Sequence, residues 1–312
     1  MSKGHCIICH SDNVDLSDEH VIPEALGGCY HVKNVCKSCN SILGRTVDIN
    51  LIDHSLIELF RERYQLSGKT GKVPSFLCDH DVHLKEKPEQ KMKFLLNKDG
   101  ELELKYVTKE EPNCSKDGAG PFVLTLDGSE KDKLNEIIEK KTKRCKKKGY
   151  KAIFSEPVEY ETKGIAVQGD LIIDLLKFKI GILKIAYESL CDLFPEYEKD
   201  SYALGISNVL INRKFKEVEH YAKIGNGFEK LPFFDIFKVI QIDITNMHLI
   251  YYKFIEKMGL YCFVSLFDTI FLGMKMSDIN YLGKYCLYFI ANDFCNNIYT
   301  KYRFGSKGLE KI

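Results

Sequence analysis

The stretch "CIICHSDNVDLSDEHVIPEALGG", residues 6–28, sets Cys6 and Cys9 three apart and follows them with the adjacent pair Glu19-His20; "CKSCN" at 36–40 repeats the cysteine spacing. Two C-x2-C pairs separated by 26 residues have the spacing of a structural zinc site. Four sulfur ligands leave no open position for water, so Cys6, Cys9, Cys36 and Cys39 would hold a fold and do no chemistry by themselves. Cys29, His5, His10 and His31 are alternative ligands, which the paired knuckles outrank. The first 45 residues carry few large apolar side chains, and a structural zinc supplies roughly 10 kcal/mol of coupled binding and folding free energy. A zinc staple accounts for the cysteines and leaves Glu19, His20, Gly27-Gly28 and Asn40 without a task.

Those residues carry a resemblance. "EHVIPEALGG" followed by "NVCKSCN" is similar to the motif of HNH (His-Me finger) nucleases, in the version where two C-x-x-C knuckles clamp a ββα-metal finger. The resemblance covers about residues 1–50. It implies that Glu19 and Asn40 hold a divalent ion, that His20 is the general base, and that Asn34 pins the loop so that His20 points correctly. Two oxygen donors suit Mg²⁺ or Mn²⁺ better than Zn²⁺ or Ni²⁺. Asp18 and Glu24 are alternative or supporting carboxylates, and Lys37 and Arg45 are expected phosphate contacts. The motif departs from the commonest pattern in two places, with Glu before the His and Asn at the final ligand position. The substrate implied is DNA, and a restriction-like or anti-phage role follows by analogy with such fusions.

The elements that must position these residues follow from periodicity. Short β runs flank Gly27-Gly28, and apolar positions from Leu43 to Phe60 recur every three to four residues, as in one helix or two broken near Asn50. A strand-rich stretch is expected from about 70 to 126, with a hairpin at "NKDGE". Ser129 is expected to cap a helix stopped at Gly149, whose tail carries eight basic residues from Lys140 to Lys151, either a solvated helix end or a phosphate-contacting patch. Residues 170–193 predict a buried helix. "MHLIYYKF", "GLYCFVSLF" and "IFLGMKM" predict strands, and "SDINYLGKYCLYFIANDFCNNIYTKY" a final helix. Asp48 and His54 are expected at the surface.

The fold class expected is α+β: a zinc-stapled ββα finger at 1–66, a strand-rich middle with a basic helix at 67–160, and an α+β region at 161–312 that selects the target or dimerises. The chain has 312 residues, 45% of them apolar, with 45 Lys plus Arg against 44 Asp plus Glu, so global charge gives no long-range steering of nucleic acid. Twelve cysteines, only four of them paired in motif, fit a reduced cytoplasm. Charges within "LIIDLLKFKIGILKIAYESL" argue against a membrane span, and the N-terminus has no apolar core of signal-peptide length. Three function classes remain open: a DNA endonuclease, expected as a homodimer or higher oligomer for double-strand cutting; a zinc-finger binding module that does not cut; and a nuclease of RNA or branched DNA.

Overall fold

A computed structural model of the chain describes residues 3–96, 101–112, 122–160, 165–169, 173–227, 237 and 243–312. Its compact units are Met1–Pro74 together with Ile173–Ile312, and Ser75–Ile172. The sequence reading divides the chain at 66 and 160. In the structure the finger and the last 140 residues share one hydrophobic core, running from Cys6, Val21 and Leu51 through Ile182 and Leu190 to Ile250 and Phe294.

The finger contributes a three-stranded antiparallel sheet of β1 (Lys3–Gly4), β2 (Val14–His20) and β3 (His31–Cys36). Helix α1 (Lys37–Leu43) follows, then a π-helical stretch, Gly44–Asp48, and the short helices α2 (Ile49–Ile52) and α3 (Ser55–Arg63). The break falls at Asp53-His54 and not at Asn50. Between β2 and β3, Ser17 pairs with Val35 and Glu19 with Val32, so Lys33 and Asn34 form a bulge opposite Asp18.

In the second unit, α4 (Phe76–Asp79) precedes β4 (Val82–Leu84), β5 (Lys91–Leu96) and β6 (Leu102–Tyr106). β7 (Lys109–Pro112) pairs with β8 (Phe122–Thr125), α5 spans Leu134–Lys147, and β9 (Val167–Gln168) completes a sheet of order β6-β5-β4-β9. β5 and β6 pair antiparallel as a hairpin requires; the turn residues 97–100 lie outside the described residues. Ser129 is not the cap of α5. Asp127 takes the Ser129 backbone N–H at 2.9 Å and starts a 3₁₀ turn, Gly128–Lys133, that runs into the helix. The basic tail is exposed except for the half-buried Lys141, and Lys140 and Lys143 pair with Glu136 and Glu139 one turn back.

The rest of the first unit is built on α6 (Leu175–Leu193), buried on every side from Ile180 to Cys191 and capped by Asp174. α7 (Ser201–Asn212) leads to β10 (Ala222–Gly227), β11 (Met247–Ile255), β12 (Gly259–Leu266), β13 (Ile270–Ser277), β14 (Leu287–Asp293), β15 (Ile298–Gly305) and β16 (Gly308–Lys311). These seven strands form one antiparallel sheet of order β10-β13-β12-β11-β14-β15-β16. The expected final helix is therefore two strands, β14 and β15. The misreading has a cause. Ile250, Tyr252, Cys262, Val264 and Ile290 face the α6 core, while Leu249, Tyr251, Phe263 and Phe289 fill a second core on the opposite face. A strand buried on both faces loses its alternation and looks like a buried helix.

Because the finger's core is completed by α6, a fragment of residues 1–74 with one equivalent of zinc is expected to show collapsed amide dispersion by NMR. A folded, dispersed spectrum from that fragment would contradict the shared core.

Candidate functional site

The four motif cysteines converge. Cys6 and Cys9 lie on the knuckle after β1, Cys36 ends β3 and Cys39 sits in the first turn of α1, with all four sulfurs within 4.8 Å of one another. The Cys36 N–H donates to Cys6 Sγ at 3.2 Å and the Cys39 N–H to Cys36 Sγ at 3.5 Å. Burial pushes the Cys39 thiol up, and the neighbouring Cys6 pushes it further. Buried thiols packed this closely need a cation to become thiolates, and a four-sulfur donor set is that of structural zinc. The alternative ligands are engaged elsewhere: His5 with Asp12 at 2.8 Å, His10 with Ser207 at 2.8 Å, His31 with Asp18 at 3.1 Å, and Cys29 with Asn292. The knuckle is also tied from outside the finger, by Tyr187 of α6 donating to the Ile7 carbonyl at 2.5 Å.

β2 ends in Glu19-His20, and strand alternation sends the two side chains apart. Glu19 points inward and is 2% exposed, with its Oε1 2.5 Å from the ammonium of Lys184 on α6. His20 points outward, its side chain 21% exposed. His31, its cross-strand partner at the start of β3, brings its ring to 4.0 Å between centroids, and Glu24 comes within 4.0 Å of His20 Nε2. Burial pushes the His20 pKa down, and the nearby charges of His31 and Lys69 act the same way against Glu24 and Asp18. The imidazole is thus poised neutral, as a proton acceptor must be.

Of the two oxygen donors expected to hold a divalent ion, the Glu19 carboxylate is occupied, while Asn40 bonds through its amide nitrogen and keeps its oxygen open. Glu19 faces Lys184, and the Asn40 amide donates to the Asp18 carbonyl at 3.2 Å. A carboxylate already neutralised by a buried ammonium does not fit a divalent ion. Around His20, Glu24 comes within 4.0 Å of its Nε2 and Asp18 pairs with the neighbouring His31, both carboxylates being exposed, and Asn40, part-exposed, bonds the Asp18 carbonyl. Asn34 lies in the bulge; its carbonyl accepts the Ile7 N–H at 3.0 Å, and its side-chain oxygen is buried without a hydrogen-bond partner. Lys37 is exposed at the start of α1, and Arg45, also exposed, donates to the Ser41 carbonyl at 3.0 Å.

Asp48 and His54 are not surface residues. The Asp48 side chain is 13% exposed and 3.1 Å from Lys184, and His54 is buried with its ring against Phe178 of α6. α6 covers this side of the finger, which helical periodicity in the finger cannot show. Sequence reasoning also missed Lys184 and Lys69, both basic residues outside the motif.

The loop between β2 and β3 is gripped by the large sheet. Buried Asn292 of β14 accepts the Cys29 N–H at 2.9 Å and donates to the Gly27 carbonyl at 3.0 Å. Buried His248 of β11 donates from Nε2 to the Leu26 carbonyl at 2.8 Å and accepts the Phe267 N–H on Nδ1 at 3.2 Å. The glycine pair is explained here. Gly27 has φ +79°, and a Cβ would lie 2.5 Å from Phe294 Cβ; a Cβ on Gly28 would lie 1.9 Å from the Ile22 carbonyl oxygen.

Residues 6–56 match the family model described as HNH endonuclease. No curated protein and no solved structure matches the chain.

Two outcomes follow. Metal analysis of the purified protein is expected to give one zinc per chain, lost in Cys39→Ser with a lowered Tm. Burial holds His248 at about 4, below its ordinary 6.5, so the unfolded chain takes up a proton that the native chain does not. Stability is then full above about pH 6.5 and is lost as pH falls toward 4, by roughly 2 kcal/mol between pH 7 and pH 5. Urea unfolding at the two pH values should show that loss, and His248→Gln should reduce it; an equal loss in the variant would remove His248 as the cause.

Proposed function

We propose that this chain is a metal-dependent HNH endonuclease that hydrolyses DNA phosphodiester bonds, with His20 as general base. The match over residues 6–56 supports the reaction class. One observation carries the residue: His20 stands part-exposed at the end of β2, against His31 and Glu24, with its charged form disfavoured by burial. The neutral imidazole takes a proton from water; the hydroxide attacks phosphorus, the bond to the 3′ oxygen breaks, and that oxygen takes a proton from solvent. A placed base contributes roughly 10²–10⁴-fold. Asp18, Glu24 and Asn40 offer the hard oxygen donors nearest His20 and suit Mg²⁺ or Mn²⁺. An ion held there would neutralise charge on the phosphate. Lys37, Arg45 and Lys69 are exposed cations that suit flanking phosphates.

One finger addresses one strand, so double-strand cleavage calls for a homodimer or higher oligomer. A cytoplasmic restriction-like or anti-phage effector accords with a small nuclease finger built onto a larger body. Among the described residues no helix is long and apolar enough to cross a membrane.

Incubation with plasmid, single-stranded DNA and RNA in Mg²⁺ or Mn²⁺ is expected to cut DNA. His20→Ala should slow cutting by about 10²–10⁴-fold with Tm unchanged. EDTA should stop cutting while zinc remains bound. Cutting of RNA alone would replace the substrate. Nucleic-acid binding with no cleavage in any metal would leave a zinc-finger binding module.

A further inference from the structure

The ammonium of Lys184 is fully buried, and taking a cation out of water costs several kcal/mol unless it is paired. Here every donor is used. Nζ lies 2.5 Å from Glu19 Oε1, 2.8 Å from the His20 carbonyl oxygen and 3.1 Å from Asp48 Oδ1, donates to Asp48 Oδ2 at 3.3 Å, and has Glu188 Oε2 at 3.4 Å one turn along α6. An ammonium has three N–H bonds, so Glu19, the His20 carbonyl and Asp48 saturate it. Burial alone would push Lys184 down, and the carboxylates of Asp48, Glu188 and Glu19 reverse that and hold it charged. Burial drives Glu188 well above the usual carboxylate range and raises Glu19, with the Lys184 ammonium opposing the rise in both.

Two of those contacts fall on consecutive residues at the end of β2, one on a side chain and one on the backbone. With the Glu19 carboxylate and the His20 carbonyl fixed from beneath, the backbone that carries the His20 imidazole cannot rotate or slide. The remaining freedom is in the imidazole's own torsions, where His31 and Glu24 flank it. A β-bulge beside this point, Lys33-Asn34 opposite Asp18, bends the strand pair next to the anchored residues. The motif's acidic residue thus has a partner 165 positions away that no local pattern reveals.

We propose that Lys184 is a positioning residue for the His20 site and that Glu19 is its counter-ion, not a ligand of a catalytic ion. This rests on the nuclease reading above. Lys184→Met alone leaves three carboxylates without their cation, so the informative variants are Glu19→Gln, which keeps the shape, and Lys184→Met/Glu19→Gln, which removes one charge of each sign and leaves Asp48 and Glu188 in place. Both are expected to keep zinc and to cut DNA roughly 10²-fold more slowly at saturating substrate. KM should be unchanged, the Mg²⁺ concentration for half-maximal rate should stay within about two-fold of wild type, and the double variant should be no slower than the single. A charge-conserving Lys184→Arg should recover part of the rate. The structural readout is independent of cleavage: the His20 ring gives one sharp set of ¹H–¹⁵N imidazole signals in wild type and a broadened or doubled set in the double variant. A half-saturating Mg²⁺ concentration raised about ten-fold or more in Glu19→Gln would make Glu19 an ion ligand and overturn the proposal. Wild-type turnover, or unchanged His20 signals, in the double variant would also overturn it. If the wild type cuts nothing, the nuclease reading fails, and the imidazole signals alone decide the positioning claim.

Discussion

Helix α6 is buried on every side from Ile180 to Cys191, and a buried helix must satisfy whatever polar groups it carries. It carries Lys184, Tyr187, Glu188 and Ser189 into the interior, and three of these turn toward the finger or its supporting sheet: Lys184 to Glu19, His20 and Asp48, Tyr187 to the zinc knuckle, and Ser189 to Tyr252. Each contact is made where water cannot substitute for a lost partner, so each fixes geometry as well as contributing stability. The finger is thereby seated on the large sheet and its central helix, and the outward face of β2 is left to the imidazole of His20.

The zinc staple and the sheet act on different parts of the finger. Four sulfurs join the first knuckle to the end of β3 and the start of α1. The loop that holds Gly27-Gly28 is beyond their reach and is held by Asn292 and His248 instead. The glycines in this loop are there for close approach, since side chains at either position would strike Phe294 or the loop's own backbone. Residues 173–312 therefore build the scaffold of the site, in addition to any target selection they provide.

The cysteines, the Glu-His pair, the strands flanking the glycines and the long helix ending before Pro195 were all legible from spacing and periodicity. Local rules failed where burial comes from distant partners. β14 lost its alternation because both of its faces are covered, and the segment that runs on into the more exposed β15 resembled a helix. Asp48 and His54 sit on what looks like a polar helix face until α6 is laid over it. Ser129 looks like a cap, but Asp127, two residues earlier, has the carboxylate that reaches the free N–H.

By itself the sequence determined the chemistry on offer: four thiols at zinc spacing, an imidazole after an acid on a strand, and a glycine pair between two strands. Strand alternation favoured opposite sides for Glu19 and His20, while a local bend could have aimed both at one phosphate. Which side becomes interior was decided only by the tertiary structure. A lysine far along the chain enters beneath β2, turns Glu19 into its counter-ion and leaves His20 at the surface. A buried ammonium can be placed only where carboxylates and a carbonyl converge on it, and that convergence exists in three dimensions and not along the chain.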